Sequence, residues 1–342
     1  MFVMKRLGGI ALILLLAAVI PVPAQAQDDD PKIGIWQKDV ELGVNILQSS
    51  YSKNWNGGDK GSVVWTGTFD AKLEKQFSEK TNWRNLLKLS YGQTHQQERG
   101  AGGDLYWPRP DKTDDMISLE SMFRWTPQNG WDPFVAFNFE SMFSDQSDAL
   151  GRTIAFNPKT FKESAGMSRT FVDTDKRRLS TRMGVAAIQH TRKFFLSPAP
   201  DAETDSESST EVAAEMVTEY ASHVLEDKVQ WESRLTLTLP FAYSGKSTFE
   251  DDVDLAAEGL PADLPDYGLA LDVDWENTFT TQITSVISVK LFVRWVYDKY
   301  DNTVAPVVED GDLVNAPDVH GAIRKAGQFK QTLALGFSYK FM

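Results

Sequence analysis

The sequence predicts an antiparallel transmembrane β-barrel of about twelve strands. Apolar residues recur at every second position in segments of about 10 to 15 residues. Because successive side chains of a strand face opposite sides, this pattern gives each strand one apolar and one polar face. The connections between the segments alternate strictly between long and short. That alternation is typical of transmembrane barrels, which have long loops at one end and short turns at the other, and a soluble β-sandwich gives no reason for it.

The N-terminal segment reads as a secretory signal over residues 1–26. Lys5 and Arg6 precede an apolar run at 7–20, and Ala24-Gln25-Ala26 fits a small-x-small cleavage site. The run is too short for a membrane anchor helix, which needs roughly 20 apolar residues. We therefore expect an exported protein with a polar leader at 27–38 and a barrel domain at 39–342.

The amino-acid composition limits the kinds of binding site and membrane anchor that the chain can form. The 342 residues include no cysteine, and the formal net charge is -13. The lack of cysteine excludes a lipid-anchored cysteine, a disulfide framework and a thiolate metal site. No cofactor, no metal and no nucleic-acid partner is expected. After the signal no apolar run is long enough for a spanning helix, so any membrane crossing must be made by strands.

Twelve segments carry the strand pattern. In chain order they are 39–50, 62–76, 82–94, 115–126, 132–144, 162–172, 178–190, 216–226, 228–243, 267–281, 283–298 and 329–342. The sixth is weak, and the eighth is ambiguous because residues 208–226 also fit a helical period. We favour a strand there, because a strand gives twelve membrane crossings, an even number, whereas a helix would leave eleven. The last segment is an amphipathic strand that needs neighbours on both edges, so we expect it to close the barrel against the first.

Aromatic residues gather at the segment ends, as in the two interfacial belts of membrane barrels. Those expected at the short-turn ends are Trp83, Trp125, Trp131, Trp231, Phe279 and Phe341, and those expected at the long-loop ends are Tyr91, Phe143, Phe241 and Tyr297.

Several short motifs resemble one bacterial family, catalogued as domain of unknown function 3078. Asn54-Trp55-Asn56-Gly57-Gly58 looks like its Asn-Trp-x-x-Gly-Gly signature. Further matching stretches are Trp83-Arg84-Asn85, Leu89-Ser90-Tyr91-Gly92, Lys112-Thr113-Asp114-Asp115, Glu163-Ser164-Ala165-Gly166, Arg182-Met183-Gly184 and Trp295-Val296-Tyr297-Asp298. The resemblance implies an outer-membrane-type β protein of unestablished activity and supplies no catalytic residues. In the loop motif, Asn54, Trp55, Gly57 and Gly58 suggest a structural turn or an inward-folded constriction rather than a binding site.

The second face of each segment is charged, with nearly balanced signs. A charge facing lipid costs roughly 2–4 kcal/mol at the midplane for Arg or Lys, so this face should line the lumen. Arg84 and Glu219 lie on it, and the candidate pore-lining residues are Glu120, Arg124, Arg182, Glu232, Arg234, Asp272, Asp274, Lys290 and Arg294. Two interpretations stay open: internal ion pairs that fill the barrel, or a narrow water-filled pore.

Acidic residues concentrate in the long loops. They are Asp201, Glu203, Asp205, Glu207, Glu211, Glu250, Asp251, Asp252, Asp254, Glu309, Asp310 and Asp312. Such runs usually belong to solvated, flexible loops. A functional alternative is bridging to anionic lipid headgroups through divalent cations, or attraction of cationic solutes.

Function is predicted less sharply than fold. The leading hypothesis is an outer-membrane channel of a Gram-negative bacterium that passes a small solute passively. The alternatives are a plugged barrel that serves as an anchor or adhesin through its loops, and an outer-membrane lipid hydrolase. A hydrolase is disfavoured because Ser180 and His190 lie too far apart on one strand to touch, and no catalytic motif occurs, so no enzyme is expected. The expected partners are outer-membrane lipids and, through the C-terminal strand, the barrel assembly machinery.

Overall fold

The computed structural model describes residues 33–341 except 51–59, 103, 127–129, 149, 198, 285 and 310. The predicted signal at 1–26 and the loop motif of Asn54, Trp55, Gly57 and Gly58 lie outside these described residues. Within them, no helix has the length and apolarity needed to cross a membrane.

Twelve strands form a closed barrel in which each strand pairs antiparallel with its neighbours in sequence, and the last pairs with the first. Numbered in chain order they are β1 Trp36–Ser49, β2 Ser62–Ser78, β3 Thr81–Gln96, β4 Asp111–Trp125, β5 Asp132–Ser141, β6 Lys159–Thr174, β7 Arg177–Phe195, β8 Thr204–Val224, β9 Val229–Tyr243, β10 Asp272–Gln282, β11 Ile287–Tyr297 and β12 Gln328–Phe341. Closure joins Val40 to Phe341 and Asn45 to Gly336, which leaves no open sheet edge in the wall. The predicted twelve-stranded transmembrane antiparallel barrel is confirmed.

The ambiguous eighth segment is a strand, and it is longer than predicted. β7 and β8 pair from Arg177–Ser222 to Phe195–Thr204, whereas β6 reaches only Thr191 of β7 and β9 reaches only Glu211 of β8. The paired residues 192–195 and 204–207 therefore extend the wall as a two-stranded hairpin at the long-loop end. Residues 204–207 contain no apolar side chain, so this strand of the hairpin lacks the apolar face that the rest of the outer wall presents.

Other element bounds shift by a few residues. β1 begins at Trp36, inside the predicted leader, and β10 begins at Asp272 rather than 267. Residues Leu264–Leu269 form a 3-10 helix instead. A proline at the start of that helix favours its fixed backbone angle and disfavours a strand.

Exposure separates the two faces of the wall. Apolar residues at alternate positions are widely exposed on the outside, among them Leu333 at 69% and Val135 at 56%. Residues one position away on the same strands point inward, such as Phe134 and Ala136 on β5, which are buried. An exposed apolar wall of this kind is what a membrane barrel presents to lipid.

Aromatic residues mark both ends of this apolar wall. At the short-turn end, the ring centroids of Trp83 and Trp36 are 5.5 Å apart, and the Trp231 ring stacks on the Phe279 ring with 5.8 Å between centroids. At the long-loop end, Tyr91 packs edge-on against Phe143 at 6.1 Å.

Two long loops fold into a compact cap at the long-loop end, contrary to the expectation of flexible acidic loops. The loop after β9 contains helix α1 (Gly245–Asp251) and the 3-10 helix, and the loop after β11 contains helix α2 (Ala316–Ala322). They share one buried apolar cluster, formed by Tyr243, Phe249, Leu260, Leu264, Tyr300, Val304, Leu313, Val319 and Ala322. Burial of these side chains offsets the ordering cost that would otherwise leave the acidic loops disordered.

Polar contacts fasten the cap to the hairpin and to the adjoining part of β8. Asn302 donates a hydrogen bond to Glu211 at 2.8 Å and Asn315 donates one to Glu207 at 2.5 Å. Arg192 pairs with Asp318 of α2 at 3.1 Å. The cap is therefore held against the inner face of the extended hairpin rather than left in solvent.

Candidate functional site

Five charged side chains from five strands form one network inside the barrel, which we call the bridge: Arg84, Glu120, Arg182, Glu219 and Arg234. Glu120 accepts a hydrogen bond from Arg84 at 3.0 Å and one each from Arg182 and Arg234 at 2.8 Å. Glu219 pairs with Arg84 and Arg234 at 3.4 Å. Direct ion pairs of this kind hold side chains in fixed relative positions, because each guanidinium presents its donors in a rigid fork.

The bridge crosses the lumen. Arg234 on β9 and Glu120 on β4 are separated along the wall by four strands, and so are Arg84 on β3 and Glu219 on β8. Side chains so far apart around a closed ring of twelve strands meet only through its interior. The bridge therefore divides the lumen, at its own level, into a side bounded by β5–β7 and a side bounded by β10–β12, β1 and β2.

The side bounded by β5–β7 is filled with side chains. Met122, Phe134 and Ala136 form a buried apolar cluster there, and Arg182 lies over the Phe134 ring at 5.8 Å. Gly166 and Gly184 face each other across β6 and β7, where a Cβ on either would collide with a backbone carbonyl of the opposite strand. The glycines let these two strands lie close together, and the buried apolar cluster leaves little room for solvent on this side of the lumen.

The opposite side, which we call the open side, keeps its charged side chains in contact with solvent. Arg294 pairs with Asp274 at 2.6 Å and Lys290 lies 3.7 Å from Glu41, yet both basic side chains are 35% exposed. By contrast Glu120 and Arg182 in the bridge are 4% and 6% exposed. Thr332 of β12, which points inward, is also exposed. The open side is therefore accessible to water.

The candidates named from sequence fall into distinct environments. Glu120, Arg182 and Arg234 belong to the bridge, and Asp274, Lys290 and Arg294 lie on the open side. Arg124 lies 3.7 Å from Asp132, Glu232 accepts a hydrogen bond from Gln230, and Asp272 begins β10 at the long-loop end. The bridge also needs Arg84 and Glu219, which the sequence places on the polar face without distinguishing them from other charged residues.

His190 lies inside the barrel rather than on its lipid-facing wall. Its Nδ1 and Nε2 are each 2.9 Å from a side-chain oxygen, of Thr160 and Glu211 respectively, and the ring is buried. This placement removes His190 from any site that would meet membrane lipids from outside.

The cap contact contains one carboxyl with an altered acidity. Burial raises the pKa of Glu207, in the hairpin extension, to about 7, and the negative charge of Asp318 acts in the same direction. The Arg192 guanidinium and the Asn315 amide oppose this rise by binding the carboxylate. Glu207 therefore changes protonation near neutral pH.

The closed strand pairing, the apolar outer wall and the charged interior together define an outer-membrane-type β-barrel. The family model described as "Protein of unknown function (DUF3078)" matches residues 46–146. That match runs from the end of β1 to just beyond β5, and the resemblance drawn from the sequence is confirmed there. No curated protein matches the chain.

Solved structures similar to the chain are also barrels. The β domain of the Bordetella autotransporter BrkA shares 8% identity, with 89% of this chain and 98% of that chain covered and a TM-score of 0.33. The COG4313 outer membrane channel from Pseudomonas putida F1 shares 9% identity, with 93% and 100% covered and a TM-score of 0.40. The translocator domain of the autotransporter NalP from Neisseria meningitidis shares 8%, with 90% and 87% covered and a TM-score of 0.36. Likeness at this level assigns no role.

Proposed function

We propose that the protein is a narrow outer-membrane channel that passes small hydrophilic solutes along the open side of the bridge. One observation carries the proposal: charged side chains on β11 and β2 stay more than a third exposed inside the barrel, with Arg294, Lys290 and Lys72 at 35%, 35% and 40%. A barrel filled throughout would bury these groups as it buries Glu120.

The proposed path is narrow and of mixed charge. Arg234 and Glu219 of the bridge are 26% and 31% exposed and face the open side. Lys330 on β12 pairs with Asp114 on β4 at 2.8 Å and so crosses the path near the long-loop end. Alternating charges in a pore give local binding without strong selection for one sign, so we expect weak ion selectivity.

Single-channel recording tests conduction directly. Purified full-length mature protein, refolded and shown to be folded by its heat-dependent mobility in gels, is added to a planar bilayer in potassium chloride. We expect discrete conductance steps smaller than those of open porins. A folded preparation that gives no steps over the accessible voltage range would exclude a channel that is open at rest.

A closed barrel that anchors an external cap is the second candidate. Specific contacts favour it, because Asn302, Asn315 and Asp318 hold the cap on the hairpin and the adjoining part of β8. A plugged barrel predicts no conductance in the wild type and none after Asn302→Ala or Asn315→Ala. A channel closed by its cap predicts conductance in those two variants.

Outer-membrane placement and insertion by the barrel assembly machinery complete the proposal. The apolar outer wall and the pairing of β12 with β1 support both. Cell fractionation should recover the protein with outer-membrane markers, and depletion of the assembly machinery should leave it unfolded and sensitive to protease. Recovery in the soluble periplasmic fraction would contradict this part.

A further inference from the structure

One carboxylate, that of Glu163, faces outward from the lipid-facing wall. Glu163 on β6 pairs directly across the sheet with Phe137 on β5 and Ala187 on β7. Directly opposite residues share a face, and Phe137 is one of the exposed apolar residues of the outer wall. Glu163 is itself exposed, and it forms no hydrogen bond or ion pair with any described residue.

Other polar side chains on this wall satisfy one another. The indole nitrogens of Trp83 and Trp231 donate hydrogen bonds to Ser121 and Asn277, at 3.0 and 3.1 Å. The hydroxyls of Thr181 and Thr218 are 3.1 Å apart. Satisfaction within the wall is expected, since lipid offers no hydrogen bonds. Glu163 differs from these hydrogen-bonded pairs, so its carboxylate needs a hydrogen-bond donor or a positive charge from outside the chain. An ionisable group in a membrane is by default a functional-site candidate.

Glu163 lines a hollow in the same wall. The hollow has a volume of about 650 Å³, and its lining includes Trp83, Phe123, Val135, Phe137 and Val185. Two alanines, Ala165 and Ala187, lie beside Glu163 in the lining, and their small side chains leave the depression open. The volume lies within the range of small-molecule sites, about 300–1,000 Å³, whereas a helix about 10–12 Å across needs a wider surface.

We propose that this hollow binds an amine-bearing amphiphile from the bilayer, with its alkyl chain against the apolar lining and its ammonium group on Glu163. A second copy of the chain is a poorer source of the positive charge that Glu163 needs. Arg169 and Lys75, two basic side chains on the outer wall, are engaged with aromatic rings, Arg169 over Trp131 and Phe171 and Lys75 over Trp36 and Phe77. An ammonium on an alkyl chain matches both the charge and the shape of the hollow. The proposal is independent of conduction through the lumen.

Tryptophan quenching tests the proposal, because Trp83 lies in the lining. Refolded full-length mature protein is placed in phosphatidylcholine nanodiscs and titrated with 12-bromododecylamine, 12-bromododecanol or 12-bromododecanoic acid. The Trp83 signal is the difference between wild type and Trp83→Phe. We expect the amine to quench it at a mole fraction about tenfold lower in wild type than in Glu163→Gln. The alcohol and the acid should show no such difference.

A second variant separates shape from charge. Ala165→Leu keeps Glu163 but fills the hollow, so the amine should lose its advantage over the alcohol. Equal quenching by the amine in wild type and Glu163→Gln would overturn the proposal. So would a dimer, seen by analytical ultracentrifugation, that Glu163→Gln converts to monomer without any amine preference, because the face would then serve self-association.

Discussion

Glu120 is the residue on which the bridge depends, because three guanidinium groups converge on its single carboxylate. Glu120→Gln would leave the three guanidinium groups in a buried site with one negative charge fewer. Removing one partner of a buried ion pair typically costs about 3–5 kcal/mol. We expect a loss of that order in the free energy of unfolding, measured by urea denaturation in phospholipid vesicles.

Glu41→Gln is the matched control for this experiment. Glu41 lies 3.7 Å from a partly exposed Lys290 on the open side, and exposed pairs contribute about 0–1 kcal/mol. Similar losses for Glu41→Gln and Glu120→Gln would show that the bridge is no more buried or coupled than the wall of the open side.

Glu207 makes the cap contact sensitive to pH. Its pKa is about 7 in the folded protein against 4.5 for an unperturbed carboxyl. A raised pKa means that the folded state holds the proton more tightly, so stability is fully present below pH 4.5 and is lost as pH rises through 7. At about 1.4 kcal/mol per pKa unit, the loss is at most on the order of 3 kcal/mol.

Hydrogen exchange of residues 298–327 at pH 5 and pH 8, corrected for intrinsic rates, measures this effect. We expect greater protection at pH 5 in the wild type and no difference in Glu207→Gln. Equal protection at both pH values in the wild type would contradict the assignment.

The partners within the bridge could not be predicted from the sequence, although its polar face placed all five members inward. Which charges meet across a barrel depends on the stagger of the strands and on the barrel diameter. Arg84 and Glu219 lie 135 positions apart, and no local pattern links them. Sequence spacing shows which face of a strand a side chain lies on, whereas closure of the whole barrel decides which charge it pairs with.

At the scale of the element, β12 offers a direct test of which face meets lipid. Leu333 points outward and is 69% exposed, while Thr332 points into the open side of the lumen. An arginine on the lipid face costs roughly 2–4 kcal/mol at the midplane. We expect Leu333→Arg to reduce the refolding yield in vesicles strongly and Thr332→Arg to reduce it little. Equal losses would reverse the face assignment.

The elements were predictable wherever lipid imposes an apolar face. Strands such as β9 and β11 were found nearly in full because most of their outward positions are apolar. The hairpin extension was missed because residues 204–210, which begin β8, contain no apolar side chain and so show no strand pattern. The cap was missed because Phe249, Leu264 and Val319 are scattered among acidic residues and become one cluster only when two loops meet.

At the scale of the whole molecule, the divided lumen predicts two kinds of interior wall. The chain has no cysteine, so single cysteines can be introduced without a background. Thr332→Cys places a thiol on the open side, and Ser164→Cys places one on the filled side, where Ser164 is buried. We expect 2-aminoethyl methanethiosulfonate to modify Thr332→Cys rapidly and Ser164→Cys far more slowly, because only the first thiol meets water.

The same two variants link the water path to conduction. If solutes pass along the open side, modification of Thr332→Cys should lower the current through each open channel, since the added group occupies the path. Ser164→Cys, exposed to the same reagent, should keep its wild-type current. A fall in current for Ser164→Cys alone would place the path between β5 and β7 instead. Rapid modification of both thiols would show that the side bounded by β5–β7 is not filled, because water would then reach both sides of Glu120.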